Sequence, residues 1–138
     1  MPVARALLDT GVLVAALHRD DTHFEACVEA LDRFRGLLLT TEAVLTEAMF
    51  LLEDVRGGPR ACLDFFVRGG AVLVPSSPET LRRCQVLIEK YGDLPMDFTD
   101  ATLVTLAEQA RTQLLFTLDR RDFGTYRFGR NRTFRIQP

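Results

Sequence analysis

The chain has 138 residues, of which 47% are hydrophobic, and a formal net charge of -2. These values predict one compact domain, residues 1–138, with a proper core. No apolar stretch reaches the roughly 18 residues that span a bilayer, and the short apolar run near the start is not expected to be a signal peptide. Three widely spaced cysteines without a C-x-x-C pair indicate reduced, mostly buried thiols in a cytoplasmic protein: Cys27, Cys62 and Cys84. Zinc is disfavoured because neither His18 nor His23 has a partner at ligand spacing.

Short apolar runs alternate with helical patterns in the first half of the chain. Thr40 or Thr41 is expected to cap the helix that begins at residue 42, and Gly57-Gly58-Pro59 is expected to end it. In chain order the predicted elements are strand 6–8, a helix over 12–17, an amphipathic helix over 22–33, strand 37–39 and a helix from 42 to about 54.

The second half continues the alternation. Its predicted elements are helix 60–67, strand 71–74 closed by Pro75 and Pro78, helices 80–91 and 98–111, strand 114–116 and an edge strand over 133–136. This alternation predicts an α/β fold, a three-layer α/β/α sandwich with a mainly parallel central sheet. In such sheets ligands bind at the carboxyl ends of the strands.

Four carboxylates stand beside apolar runs, although acids belong on solvated faces and are costly near a core without a partner. Asp9 and Asp119 follow predicted strands, Asp100 heads the buried stripe of helix 98–111, and Glu47 borders the stripe of its own helix. We expect them to converge on one site for a divalent metal. Because Mg²⁺ or Mn²⁺ can activate water and stabilise a leaving oxygen, this pattern predicts a metal-dependent nuclease.

Three of these acids also have a simpler interpretation, whereas a carboxylate at the head of a buried stripe, as at Asp100, is hard to explain without a metal or a strong donor. Asp9-Thr10-Gly11 could be a turn after a strand, or the signature of an aspartic protease, which is disfavoured because that chemistry belongs to glycine-rich β structure and needs a second carboxylate. Glu47 could be a boundary residue whose stem lies along the core. Asp119 could be a helix N-cap, or could pair with Arg120 or Arg121.

Two further acids are assigned structural roles. Asp97 is expected to cap the helix in which Asp100 lies three residues later. Asp122 is expected to orient an arginine or to cap a turn. Packed together without metal, the cluster should keep at least one carboxyl protonated, because like charges repel.

The end of the chain is rich in arginine. A nuclease needs cations for phosphates beside the anions that hold metal, so this clustering favours the same function. From Asp119 onwards six arginines accompany two acids: Arg120, Arg121, Arg127, Arg130, Arg132 and Arg135.

Four segments together resemble the PIN-domain ribonucleases, with the VapC-type toxins of type II toxin–antitoxin modules as the nearest branch. The order and spacing of their acids match that family over nearly the whole chain. The segments are Leu7-Leu8-Asp9-Thr10, Thr46-Glu47, Met96 to Ala101 and Leu115 to Phe123.

The resemblance implies a PIN-like fold and a role for each matching residue. It implies that Asp9, Asp100 and Asp119 hold Mg²⁺ or Mn²⁺, and that Glu47 joins them in the catalytic cluster. The hydroxyls of Thr10 and Thr117 would support the cluster through hydrogen bonds, and Asp97 would support the metal ligands without binding the metal itself. Gly11 departs from the family, which commonly has Ser or Asn there.

The resemblance also implies partners, namely RNA such as tRNA, a cognate antitoxin protein and a second copy in a homodimer. Arg120, Arg121 and Arg127 are the candidates for RNA phosphate contacts. A PIN-like module that binds without cleaving remains an alternative. A phosphatase or receiver domain is disfavoured, because the first strand offers only Asp9 and Lys90 lies within a helix.

Overall fold

The structure is a computed structural model that describes residues 3–138. Five short strands and seven helices follow one another along this part of the chain. In order they are β1 (Arg5–Leu8), α1 (Thr10–Leu17), α2 (Phe24–Arg33), β2 (Leu37–Thr40), α3 (Glu42–Leu51), α4 (Gly58–Val67), β3 (Val72–Leu73), α5 (Pro78–Lys90), α6 (Phe98–Ala110), β4 (Leu114–Phe116), α7 (Arg120–Thr125) and β5 (Arg135–Gln137).

The strands form one sheet in the order β3-β2-β1-β4-β5, and all four pairings are parallel. Helices α1 to α4 pack on one another and α5 packs on α6, so helices flank the sheet on both faces. The predicted α/β/α sandwich is confirmed, as is the edge position of the last strand. The chain leaves β1 for β2 on one side and returns to β4 on the other, so the switch point of this sheet lies between β1 and β4.

Two proline and glycine segments that were expected to end one element instead begin the next helix. Gly57 has a φ of 72° and caps α4, and Pro59 lies in the first turn of that helix, while α3 already ends at Leu51. Pro78 is the first residue of α5, and the strand before it is only Val72–Leu73. The missing N–H and fixed φ of proline suit the first turn of a helix, which explains both corrections.

The two threonines that follow β2 have separate roles. Thr41 caps α3 by accepting from the backbone N–H of Val44 at 3.5 Å, whereas the Thr40 hydroxyl donates to the carbonyl of Leu8 at 2.6 Å. Thr40 therefore ties β2 to β1 immediately before Asp9. Helix α7 was not predicted as a helix, because six residues are too few to show a hydrophobic period.

The core lies on both faces of the central strands. Helix α6 is the most enclosed helix of the described residues, with nine of its thirteen residues buried, so a carboxylate in it stands out. Cys27, Cys62 and Cys84 are buried free thiols, as predicted, and burial raises the pKa of each one. Within residues 3–138 no helix combines the length and the apolarity needed to cross a membrane.

Candidate active site

Asp9 lies at the switch point, directly after β1, where it caps α1. Its Oδ1 accepts the backbone N–H of Thr10 at 2.8 Å, and its Oδ2 accepts the hydroxyl of Thr117 at 2.7 Å. Because Thr117 directly follows β4, the second bond joins the ends of the two central strands. The carboxylate is only 8% exposed and is held at both oxygens.

The environment of Asp9 disfavours its charge. Burial raises its pKa from the usual 3.8 to about 6, against the hydrogen bonds from Thr117 and from the Thr10 backbone, which lower it. The neighbouring carboxylates of Glu47 and Asp119 raise it further. The expected tendency toward protonation is therefore present, but burial contributes more to it than repulsion between the acids.

Thr10 differs from expectation in how it supports the site. Its backbone N–H, not its hydroxyl, contacts Asp9. The hydroxyl oxygen is buried and has no hydrogen-bond partner among residues 3–138, although the residue lines the same cleft as Asp9. A buried polar atom without a partner is costly and calls for an explanation, which a bound water or ion would supply.

Asp100 is half-buried in the first turn of α6. Its backbone N–H donates to Asp97 Oδ1 at 2.8 Å, so Asp97 caps the helix as predicted. The carboxylate itself accepts the hydroxyl of Tyr126 at Oδ2, at 3.1 Å. Burial raises the pKa of Asp100 to about 7, with additional repulsion from Asp97 and Asp9, while the Tyr126 hydroxyl lowers it.

Asp119 follows β4 and caps α7. Its Oδ1 accepts the backbone N–H of Asp122 at 3.0 Å, and its own N–H donates to Thr117 Oγ1 at 3.0 Å. The helix-cap interpretation is therefore realised through one carboxylate oxygen. Among the ion pairs of residues 3–138, neither Asp119 nor Asp122 is paired with an arginine, so the expected arginine-orienting role of Asp122 is absent there.

Glu47 comes from the opposite side of the site, on α3. The hydroxyl of Thr99, in α6, donates to its Oε2 at 3.4 Å. This contact joins α3 to α6 next to Asp100. Glu47 is half-buried, which places its carboxylate at the boundary between the core and the cleft.

All four predicted acids line one open cleft of about 540 Å³ at the carboxyl edge of the sheet. Among the residues that the structure describes, its lining includes no lysine, arginine or histidine. Within the described chain, no three His, Cys, Asp or Glu side chains are already grouped closely enough to hold a metal ion. The cleft is lined by six carboxylates, of Asp9, Glu47, Asp97, Asp100, Asp119 and Asp122, together with Thr10, Gly11, Leu51, Pro95 and Leu118.

The three arginines proposed for RNA contact differ in the hydrogen bonds that their side chains already make. Arg127 donates from Nη1 to the carbonyls of residues 124, 125 and 126, so that nitrogen is occupied by the end of α7. Arg120 donates to the carbonyl of Pro138. Arg121 is exposed and follows directly in α7, close to the acids of the cleft.

Tyr126 and Thr99 were missed by the sequence reasoning, although both donate to acids of the cleft. A signal for Tyr126 was present. Asp119 and Asp122 have the spacing of a capped helix start, which predicts a short helix that carries Phe123 and ends near Tyr126.

Comparison with known proteins identifies the family, because the profile of the PIN domain matches residues 6–129. The chain belongs to the PIN-domain family. It is 27% identical over 123 residues to ribonuclease VapC26 of Mycobacterium tuberculosis, covering 88% of this chain and 91% of that protein. Family membership leaves the protease and receiver alternatives without support.

Solved structures agree with this PIN-domain fold. VapC20 of Mycobacterium tuberculosis, a toxin that cleaves the sarcin–ricin loop, has a TM-score of 0.78 at 18% identity, over 96% of this chain and 99% of that one. VapBC2 of Rickettsia felis, bound to a DNA fragment from its promoter, has a TM-score of 0.70 at 14% identity, over 98% and 100%. At such identities the likeness shows the fold alone.

Proposed function

We propose that this PIN domain is a metal-dependent endoribonuclease and the toxin of a toxin–antitoxin pair. The observation that carries the proposal is the cleft at the switch point of the parallel sheet, which Asp9, Glu47, Asp100 and Asp119 all line, with no cationic side chain among the described residues of the lining. The similarity to ribonuclease VapC26 supports the same activity. Such an arrangement is unfavourable for a protein that only has to fold, but it suits a cation.

Mg²⁺ or Mn²⁺ fits the donors present, which are carboxylates and hydroxyls. Asp9, Asp100 and Asp119 would hold the ion. The raised pKa values of Asp9 and Asp100 support this assignment, because a cation would offset what burial and repulsion impose on their charge. The buried hydroxyl of Thr10 offers a further oxygen. Mg²⁺ keeps several waters and needs only one or two direct carboxylates, so the acids need not all contact one ion.

The ion would supply charge stabilisation for the phosphate oxygens and lower the pKa of an attacking water. The chain's own residues fix the geometry. Thr117 holds Asp9 through its hydroxyl and receives the N–H of Asp119, so one side chain sets the spacing of two acids. Glu47, held by Thr99 at Oε2, has Oε1 available to accept the proton of the water. Leu51, Pro95 and Leu118 form the apolar part of the lining.

RNA is the substrate that the related ribonuclease suggests. The first residues of α7, Arg120 and Arg121, directly follow Asp119, so they are the cations proposed to contact RNA phosphates beside the cleft. A cognate antitoxin is proposed because solved relatives are toxin–antitoxin assemblies, such as a complex from Klebsiella pneumoniae with a TM-score of 0.68. The RNA target, the homodimer and a cytoplasmic location stay predictions.

Cleavage of a total tRNA and mRNA pool tests the proposal, with Mg²⁺, with Mn²⁺ and with EDTA. Asp9→Asn removes one proposed ligand, and Asp54→Asn changes an exposed acid outside the cleft as a matched control. We expect cutting by the unaltered protein and the control only with metal, and a loss of more than about 100-fold in Asp9→Asn. Cutting that persists in EDTA, or in Asp9→Asn, would refute the assignment.

A further inference from the structure

Tyr126 contacts a proposed metal ligand but belongs neither to the acidic cluster nor to the strand ends. We infer that it is a positioning residue, which holds the carboxylate of Asp100 in the orientation that the cation requires. This inference rests on the proposed function, since it concerns the same site. It assigns to α7 a role beyond that of a connection between β4 and β5.

The contact is directional and partly protected from solvent. The Tyr126 hydroxyl donates to Asp100 Oδ2 at 3.1 Å, and the tyrosine side chain is fully buried. A carboxylate has about four lone-pair sites, so one donor at Oδ2 leaves Oδ1 and the second lone pair of Oδ2 for a cation or its waters. The hydroxyl fixes the torsion of Asp100 while leaving most of its acceptor capacity unused.

The tyrosine ring is itself held from two sides. It makes edge-to-face contacts with Tyr91, at 5.0 Å between ring centres, and with Phe123, at 5.2 Å. Because the side chain cannot turn about its Cα–Cβ bond without breaking these ring contacts, they keep the hydroxyl oxygen in one place.

Helix α7 thereby connects two of the proposed ligands. Its first turn is capped by Asp119, and the N–H of Tyr126 donates to the carbonyl of Asp122 at 3.0 Å where the helix ends. The same six-residue helix therefore places Asp119 at its start and, through Tyr126, holds Asp100 at its end.

Asp100 has a particular need for such a donor. Its carboxylate shares the cleft with those of Asp97 and Asp9, and among the described residues the donor that it accepts is the Tyr126 hydroxyl. Asp9 is held by two donors at the strand ends, so it does not depend on a single contact. Removing the tyrosine hydroxyl would allow the Asp100 side chain to turn away from its like-charged neighbours, toward solvent.

Two tyrosine-to-phenylalanine variants separate this role from general packing. Tyr126→Phe keeps the ring and its contacts and removes only the donor to Asp100. Tyr91→Phe removes a hydroxyl from the same aromatic cluster that bonds only backbone groups of Arg127. Mn²⁺ affinity measured by calorimetry is the primary readout, and kcat and KM for RNA cleavage at saturating Mn²⁺ are the second.

We expect Tyr126→Phe to weaken Mn²⁺ binding by about 10- to 100-fold, as is typical when a metal ligand loses its hydrogen-bond partner, and Tyr91→Phe to change it less than about threefold. Saturating Mn²⁺ should restore much of kcat in Tyr126→Phe, with KM for RNA little changed. Unchanged affinity in Tyr126→Phe, or an equal loss in Tyr91→Phe, would overturn the positioning role while leaving the nuclease intact. An unaltered protein that neither binds Mn²⁺ nor cleaves RNA would overturn the proposed function as well.

Discussion

Replacing Asp9 by Asn should stabilise the metal-free protein at neutral pH. Burial holds the pKa of Asp9 at about 6, above its usual 3.8, so the folded state binds this proton more tightly than the unfolded state. For a carboxyl group with a raised pKa, the free energy of unfolding falls as pH rises from about 3.8 to about 6 and stays low above that range. Asn carries no charge, so the variant does not lose this stability.

The magnitude follows from the same shift. A difference between 3.8 and about 6 corresponds to about 3 kcal/mol at about 1.36 kcal/mol per pKa unit. Asn can still accept the Thr10 N–H, but its amide group cannot accept the Thr117 hydroxyl, a loss of about 1 kcal/mol or more. We therefore expect a net gain of about 1–2 kcal/mol in the free energy of unfolding at pH 7.5, or roughly 3–7 °C in Tm for a chain of this size.

Urea unfolding in EDTA, at pH 7.5 and at pH 4, measures this difference. The gain should be present at pH 7.5 and absent at pH 4, where Asp9 is largely protonated in the folded protein. Adding Mg²⁺ should then stabilise the unaltered protein more than Asp9→Asn, because only the former has the full set of ligands. The reasoning is refuted if the variant is less stable at pH 7.5, or if its gain is the same at both pH values. Asp54→Asn is the control.

Further outcomes concern the same cleft. Asp100→Asn should abolish RNA cleavage while leaving the metal-free protein as stable as before or more so, which thermal unfolding and a cleavage assay check together. Mn²⁺ binding should release protons and become tighter between pH 5.5 and pH 8, because Asp9 and Asp100 must lose their protons to act as ligands. Calorimetry in two buffers of different ionisation enthalpy measures the number of protons released, and an absence of release would contradict the ligand assignment. Replacing Arg120 and Arg121 with Ala should reduce the slope of log affinity for RNA against log salt by about 0.7 for each phosphate that is no longer neutralised, and an unchanged slope would exclude them from phosphate binding. Gly11→Ala should stabilise α1 by about 0.5–1 kcal/mol, since a Cβ there lies 3.7 Å from the nearest side chain; lower stability in urea would show that the space is needed.

The sheet and its acids could be predicted because their signals are local. Strands β1 and β4 are short apolar runs that end at polar residues, and parallel strands bring such ends to one edge, so Asp9 and Asp119 could be placed there from the sequence. The first residues of the helices were harder to predict, because Gly57 and Pro78 are compatible both with the end of one element and with the beginning of the next.

The contacts that hold the acids could not be predicted in the same way. Tyr126 lies 26 positions from Asp100 in the chain, and no periodic pattern encodes that pair. The family resemblance implied that the Thr117 hydroxyl supports the cluster, as it does, but it did not specify Asp9, 108 positions away, as the partner. The buried hydroxyl of Thr10 is likewise a property of the packed structure, not of the sequence. Such features depend on how distant elements pack around the site.

The acids of the cleft are not paired with the arginines that lie near them in the sequence. A fold under pressure for stability alone would pair a half-buried carboxylate such as Asp100 with a guanidinium, since cations are available within a few residues of Asp119. Arg127 instead donates to backbone carbonyls, and the hydrogen bonds that the acids accept within residues 3–138 come from neutral donors, namely hydroxyls and backbone N–H groups. Neutral donors fix the orientation of a carboxylate without cancelling its charge. The cleft therefore gathers carboxyl groups without a cationic partner at a cost in stability, which a divalent cation would recover on binding.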